Sequence, residues 1–284
     1  MDLPQIPIAQ LADHYKVFPI TQGSKTRIIQ EPVGELKKFQ KSTLDFWNEY
    51  PFYIGCTART GMSTLDNAAP HHGSRVIFKT DISHFYPSIT LHHLLRNIDL
   101  HVDTDWQGVA RNVLPYCLLP VHGSLHVPTG APTSPILSNI AATDLDHAIL
   151  EIANYYGFKY TRYIDDLTFS GEDKAIGLAR EIERAVEHHG FQLKMSKTEW
   201  AYPNRDQKFQ VTGVALLTER AKYRVPRELR RMMRVRLDKA ALEQKELDKV
   251  TKGYLSYIRM IDRDVYDYFQ DYLQRRKARY VSPS

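Results

Sequence analysis

Only two cysteines, Cys56 and Cys117, occur in 284 residues, and they do not form a CxxC pair. This leaves neither a disulfide framework nor a cysteine zinc module, and it suits reduced thiols in a cytosolic protein. No run approaches the roughly 18 uninterrupted apolar residues of a membrane span. The opening stretch MDLPQIPIAQLADHY puts no basic leader before an apolar core, so export is not expected and a cytoplasmic location is. No period of about 20–50 residues repeats and no low-complexity segment occurs, which excludes solenoids and arrays. What is present, 43% hydrophobic and 25% charged residues, suits a folded chain able to bury its own core.

Charge is unevenly placed. The net +5 divides into 18 Lys+Arg against 9 Asp+Glu from Arg220 to Ser284, and 20 against 24 before it. A basic C-terminal fifth on a mildly acidic body fits either a polyanion held at one end or a solvated helix face.

Spacing gives a coarse map. Leu36, Phe39, Thr43 and Phe46 predict a helix over Glu35–Glu49, and the Gly- and His-rich stretch Gly55–Gly73 reads as loop. Val76-Ile77-Phe78 predicts a short buried strand ending at Asp81. After Pro135 the pattern is helical through Leu137, Ile140, Ala141 and Leu145. Phe158–Ile164 and Leu167–Ser170 read as strands with only Asp165-Asp166 between them, which is hairpin spacing without the usual glycine. A helix is predicted over Lys174–His189 with Gly190 as its stop. Beyond Pro226, Arg227, Arg230, Arg231 and Arg234 share one helical face, opposite Leu229, Met233 and Leu237. Tyr254, Ile258, Ile261, Val265, Phe269 and Tyr272 then predict one last helix, with its aromatics in the core. The domains expected are 1–220, mixed α/β, and 221–284, helical and basic.

Asp81 ends a predicted buried strand, and Asp165 and Asp166 occupy a predicted turn, where neighbouring carboxylates can approach one point. Three such anions repel unless a cation lies between them. Carboxylate oxygens with water and phosphate are the ligands Mg²⁺ prefers, and two such ions suit phosphoryl transfer. An Asp-Asp turn alone, however, is ordinary turn chemistry.

The order of motifs decides between these readings. FKTDISHFYPSI (Phe78–Ile89), VPTGAPTSPILSN (Val127–Asn139), YIDD (Tyr163–Asp166), GFQLKMSKT (Gly190–Thr198) and QVTGVAL (Gln210–Leu216) follow RIIQEPVGELKKFQ (Arg27–Gln40) in order. In this order the chain resembles reverse transcriptases. NAAPH (Asn67–His71) and VTG (Val211–Gly213) resemble the signatures of the bacterial retron type. Two positions depart from the family pattern: Thr129 stands where glutamine is usual, and Ile164 where retron enzymes more often have alanine.

The resemblance implies an α+β right-hand polymerase, with fingers and palm built on an antiparallel sheet and a helical thumb. Asp81, Asp165 and Asp166 become the catalytic metal ligands for two Mg²⁺ ions, with the Ile82 carbonyl as a further donor. Tyr86 becomes the aromatic floor that rejects a ribose 2′-hydroxyl. Arg27 meets the triphosphate, since a guanidinium fits phosphate oxygens in pairs; Lys25, Lys37 and Lys38 read as solvated charge. Thr129 and Gly130 lie against the nucleotide, and Lys197 faces the pyrophosphate. Asn67, His71, Val211, Thr212 and Gly213 imply recognition of a structured RNA. Arg227, Arg230, Arg231 and Arg234 grip duplex phosphates. His71-His72 has no acid or cysteine at ligand spacing, so a zinc site is rejected.

By the same resemblance, a dedicated noncoding RNA is the template, dNTPs are the substrates, and an internal guanosine 2′-hydroxyl is the primer. The product is a branched RNA–DNA hybrid, multicopy single-stranded DNA, used in antiphage defence with a separate effector protein and without a membrane. Another bacterial reverse transcriptase, of defence or intron type, and an RNA-binding scaffold that restrains an effector remain as alternatives.

Overall fold

Val76–Asp81 forms the buried strand that its apolar run predicts. It lies inside a four-stranded sheet ordered Lys159–Tyr163, Asp166–Gly171, Val76–Asp81, Glu199–Ala201. Five of its six residues are buried, so the period-two alternation of a one-sided strand is lost. The computed structural model describes residues 2–22, 25–53, 55–121, 123–202, 209–216 and 223–280. Lys159–Tyr163 and Asp166–Gly171 are joined by only Ile164 and Asp165, so they run antiparallel. The turn therefore lies one residue earlier than its sequence suggests: Asp166 is already in the returning strand, and the half-buried Ile164 takes the left-handed conformation at φ 58°.

The chain divides into two compact units. The first contains Met1–Ser63, Phe78–Phe169 and Lys174–Glu199. Its core includes Phe78 against Phe169 at 5.5 Å, Tyr160 stacked on Phe169 at 4.9 Å, and Tyr53 stacked on Tyr160 at 5.7 Å. Each buried aromatic adds about 1.5–3 kcal/mol. Helices Ser134–Ala141 and Thr143–Tyr155 follow Pro135 as expected, and the first buries nearly every side chain. An antiparallel hairpin, Tyr15–Gln22 with Lys25–Pro32, carries Arg27 opposite Ile20.

The helix expected over Glu35–Glu49 is two, Gly34–Ser42 and Leu44–Asn48. At the break, buried Thr43 turns its hydroxyl to the Gln40 carbonyl and accepts from the Trp47 indole. Such local side-chain bonds compete with continued helix. The helix expected from Lys174 starts at Leu178 and ends at His188, with Gly190 at φ 82° just beyond.

The second unit contains Thr64–Ile77, Ser170–Asp173 and the chain from Trp200 onward. Part of the stretch read as loop is helical here, Thr64–Ala68 followed by a 3₁₀ turn at Ala69–His71. Five residues are too few to show a period. Strands Gln210–Val211, Val214–Leu216 and Tyr223–Arg224 pair antiparallel. They share a core with helices Arg227–Leu242, Lys249–Ile261 and Arg263–Tyr280 through Val211, Val214, Met233, Leu237, Ile258 and Phe269. The single last helix expected is thus two. Asp262 separates them, leaving helical geometry at φ −149° and accepting from the Val265 amide at 3.1 Å, as an N-cap does. Ile258 and Phe269 are buried, as the core reading expects.

Candidate active site

Asp81 stands at the end of its strand, 4% exposed, and Asp165 and Asp166 stand half-buried at the hairpin beside it. The three carboxylates bring ligand oxygens within 4.8 Å of one another. The Ile82 amide donates to the Asp165 carbonyl at 2.9 Å. Lys194 donates its amide to the Asp81 carbonyl, and Ser83 to Gln192, both at 2.7 Å. These bonds bring the Gly190–Thr198 segment alongside, and the Lys197 ammonium pairs with Asp81.

The electrostatics follow from this crowding. Burial, and then the charge of Asp81, raises the Asp165 pKa against the pull of Lys197 and Arg27. Burial, and then Asp165, raises Asp166 to about 6, although Lys79 works the other way. Burial opposes the Lys197 charge, but the Asp81 bond and the three carboxylates outweigh it and raise its pKa. Tyr86 is pushed up to about 12 by burial first and Asp165 second, so its phenol stays neutral. A cleft of ≈ 250 Å³ lined by Lys79, Asp81, Asp166, Ser196, Lys197 and Glu199 opens beside the carboxylates. Hard oxygens held together against their own repulsion fit a divalent cation such as Mg²⁺. Among the described residues a second cluster, His101, Asp144 and His147, also converges. There Asp144 pairs with Arg96 at 3.1 Å and is the single carboxylate, where the aspartate cluster offers three, so it is the poorer site for a hard cation.

Other expected residues are placed as follows. Gly130 has φ 120°, and a Cβ there would stand 2.6 Å from Ile29 Cγ2, so this glycine lets the loop pass the hairpin carrying Arg27. The Thr129 carbonyl accepts from the Gln30 amide at 2.6 Å, and its own amide donates to Gln30 Oε1 at 3.1 Å. Arg27 is exposed. In the second unit, Asn67 and His71 are 0% exposed. Asn67 donates to the Thr212 hydroxyl at 3.4 Å, which donates to the Thr64 carbonyl at 3.0 Å; His71 Nδ1 bonds Ser170 at 2.8 Å. Thr212 and Gly213 turn with φ of 46° and 80°, and Val211 is buried. The two motifs are therefore joined to each other, with Asn67, His71 and Val211 beneath the surface. Arg227, Arg231 and Arg234 are exposed, Arg230 is half-buried, and Arg234 lies 5.5 Å over the Tyr268 ring.

The chain matches the family model described as reverse transcriptase (RNA-dependent DNA polymerase) over residues 21–216. It belongs to the reverse transcriptases, and among them to the retron type. It is 31% identical to the retron Mx65 reverse transcriptase of Myxococcus xanthus, over 88% of this chain and 62% of that protein. It is 28% identical to the retron Ec86 reverse transcriptase of Escherichia coli, over 94% and 82% respectively. For the retron Mx162 reverse transcriptase of M. xanthus the identity is 32%, over 88% and 58%. The chain thus spans about three-fifths of both M. xanthus relatives. Telomerase from Candida albicans, solved with a fragment of telomeric RNA, shares the fold at a TM-score of 0.51 and 10% identity, over 93% of this chain and 58% of that one. The fold class is accordingly the right-hand polymerase, as the motif order implies. Among the described residues, no helix of this reverse transcriptase is long and apolar enough to cross a membrane.

Sequence reasoning missed Gln30, Lys79 and the buried Arg162 with its partner Asp146. Lone polar residues in strands and helices carry no spacing signal, and only the fold brings them to the site.

Proposed function

We propose that the chain copies a cognate noncoding RNA into DNA from dNTPs, with Asp81, Asp165 and Asp166 holding two Mg²⁺ ions. The observation that carries this reading is the convergence of these three carboxylates within 4.8 Å at a strand end and a hairpin. When bound, the ions activate the primer hydroxyl and neutralise charge at the phosphates. The Ile82 carbonyl is a further donor at the strand end. Arg27 binds the triphosphate through paired hydrogen bonds. Lys197, kept protonated by its carboxylate neighbours, offers charge and a proton to the departing pyrophosphate. The neutral Tyr86 ring excludes a 2′-hydroxyl, and Thr129 and Gly130 line the nucleotide.

The thumb, 221–284, grips the duplex through Arg227, Arg230, Arg231 and Arg234, while residues 1–220 supply fingers and palm. Similarity to the retron enzymes supports priming from an internal guanosine 2′-hydroxyl, a branched multicopy single-stranded DNA product, and cytoplasmic antiphage defence with a separate effector protein. The surface shaped by the joined Asn67–His71 and Val211–Gly213 segments supports specific RNA recognition. The test is to purify the chain with its bound RNA, add dNTPs and Mg²⁺ without primer, and treat the product with a debranching enzyme. Release of a DNA with a free 5′ end is expected. DNA made only from an added 3′-hydroxyl primer overturns the retron mode of priming, and no DNA under either condition overturns the polymerase assignment.

A further inference from the structure

The turn that presents Asp165 and Asp166 is held in a conformation its own sequence disfavours. Ile164 has φ 58°, a region that crowds the Cβ of any L-residue and a β-branched one most. Such backbone persists only where its surroundings fix it. Here the fixing group is Arg162, two residues earlier and fully buried. Its Nη1 donates to the Ile164 carbonyl at 3.0 Å and to Asn139 Oδ1 at 3.1 Å. Nε and Nη2 take the two Asp146 oxygens at 2.8 and 2.7 Å, and Nη2 also reaches Cys56 Sγ at 3.3 Å. These five contacts match the five N–H donors of a guanidinium. Asp146 is held in turn by the Tyr160 hydroxyl at 2.8 Å.

The carbonyl of the next residue, Asp165, accepts from the Ile82 amide at 2.9 Å. Both peptide carbonyls flanking Asp165 are therefore fixed, one by Arg162 and one by the strand that carries Asp81. A slack turn would let the Asp165 and Asp166 carboxylates swing away from Asp81.

We infer that Arg162, locked by Asp146, is a positioning residue that holds the Ile164 carbonyl and thereby sets the carboxylate geometry for metal binding and nucleotidyl transfer. The inference rests on the polymerase reading of the three aspartates. Lysine cannot replace it, because one ammonium cannot match the fork to Asp146 and reach Ile164 as well.

Removing Arg162 alone strands a buried carboxylate, so the test replaces the group as a set: Arg162→Met with Asp146→Leu and Tyr160→Phe, an apolar exchange that cores tolerate. The set is assayed on an RNA template with an annealed DNA primer, and Mn²⁺ binding is measured by electron paramagnetic resonance. The expected result is a folded protein with kcat ~100-fold lower, as a misplacement on the order of 1 Å gives, a dNTP KM within about threefold, and Mn²⁺ bound ~10-fold more weakly. Adding Ile164→Gly, which takes a positive φ without strain, should restore kcat by ~10-fold. Wild-type kcat and Mn²⁺ affinity in the folded set overturn the inference, as does a loss of both that glycine fails to restore. Asp81→Asn and Asp166→Asn run alongside: if these still extend primers, the polymerase reading itself fails, whereas their inactivity beside an active set sinks only the role of Arg162.

Discussion

The backbone amide of Ile82 donates to the backbone carbonyl of Asp165 at 2.9 Å, tying the end of one strand to the turn between two others. These residues are 83 positions apart, yet this bond sets how closely Asp81 can lie to the hairpin carboxylates. The placement of the three carboxylates is therefore set first by the backbone, with side chains completing it.

That arrangement predicts separate outcomes for activity and stability. Asp166→Asn should lower primer extension by ~1,000-fold, the loss of several kcal/mol of charge stabilisation. In metal-free protein it should raise stability at neutral pH. The folded-state pKa of Asp166, about 6, lies above its ordinary 3.8, so the folded chain holds a proton between these values that the unfolded chain does not. This carboxyl therefore favours folding at low pH, and its contribution is lost as pH rises through about 6. The advantage of the Asn variant should grow from pH 4 to 7, reaching on the order of 1–2 kcal/mol after solvent screening. Melting of both proteins in chelator across that range checks it; a constant gap would show that neither burial nor Asp165 lifts the Asp166 pKa.

Much of this site was legible in the sequence, and the rest was hidden for identifiable reasons. Val76–Asp81 was readable because strands covered on both faces are apolar throughout. The hairpin was readable too, but its turn was placed one residue late. Propensity rules give no reason to set a β-branched Ile164 at positive φ; only the bonds from Arg162 and Ile82 account for it. The Arg162–Asp146 pair joins a strand to a helix 16 residues earlier, and no local period links them. The burial of Asn67 and His71 was equally invisible, since asparagine is mostly exposed and histidine is intermediate in burial.

Gln30 should matter to nucleotide use. Its side-chain oxygen and backbone amide both bond Thr129, clasping the loop that carries Gly130 to the hairpin that carries Arg27. Gln30→Ala removes the side-chain half of this clasp. Steady-state kinetics on a primed RNA template should show dNTP KM rising ~5–10-fold, about 1–1.4 kcal/mol for one hydrogen bond, with kcat within about twofold. An unchanged KM would show that the backbone bond alone holds the loop.

His71 should act through stability. Its ring is buried and bonds Ser170 Oγ, which Ser74 also reaches at 3.1 Å. His71→Ala opens a cavity and strips these hydroxyls of a partner, so unfolding free energy should fall by about 1–3 kcal/mol. RNA affinity, measured at a temperature where the variant is fully folded, should stay within about threefold of wild type. Affinity lost while melting is unchanged would instead place His71 in contact with RNA.

The arginines of the helix Arg227–Leu242 should behave in the opposite way, setting affinity with little effect on folding. Arg227, Arg231 and Arg234 are exposed on the helix Arg227–Leu242, whose other side buries Met233, Leu237 and Ala241. Exposed charges on such a face add little to stability. Against a polyanion, each one that displaces a counterion contributes up to about 0.9 to the slope of log K against log salt. Replacing Arg227, Arg230, Arg231 and Arg234 with Gln should leave the melting temperature within about 3 °C. RNA/DNA duplex binding should weaken at low salt, and its slope should flatten by about 2–4. Arg234, which sits over Tyr268, is the member whose loss should also cost packing. Titrating a fluorescent duplex between about 50 and 200 mM salt measures this directly. A slope equal to that of wild type would mean that the basic face is solvated charge and that the duplex is held elsewhere.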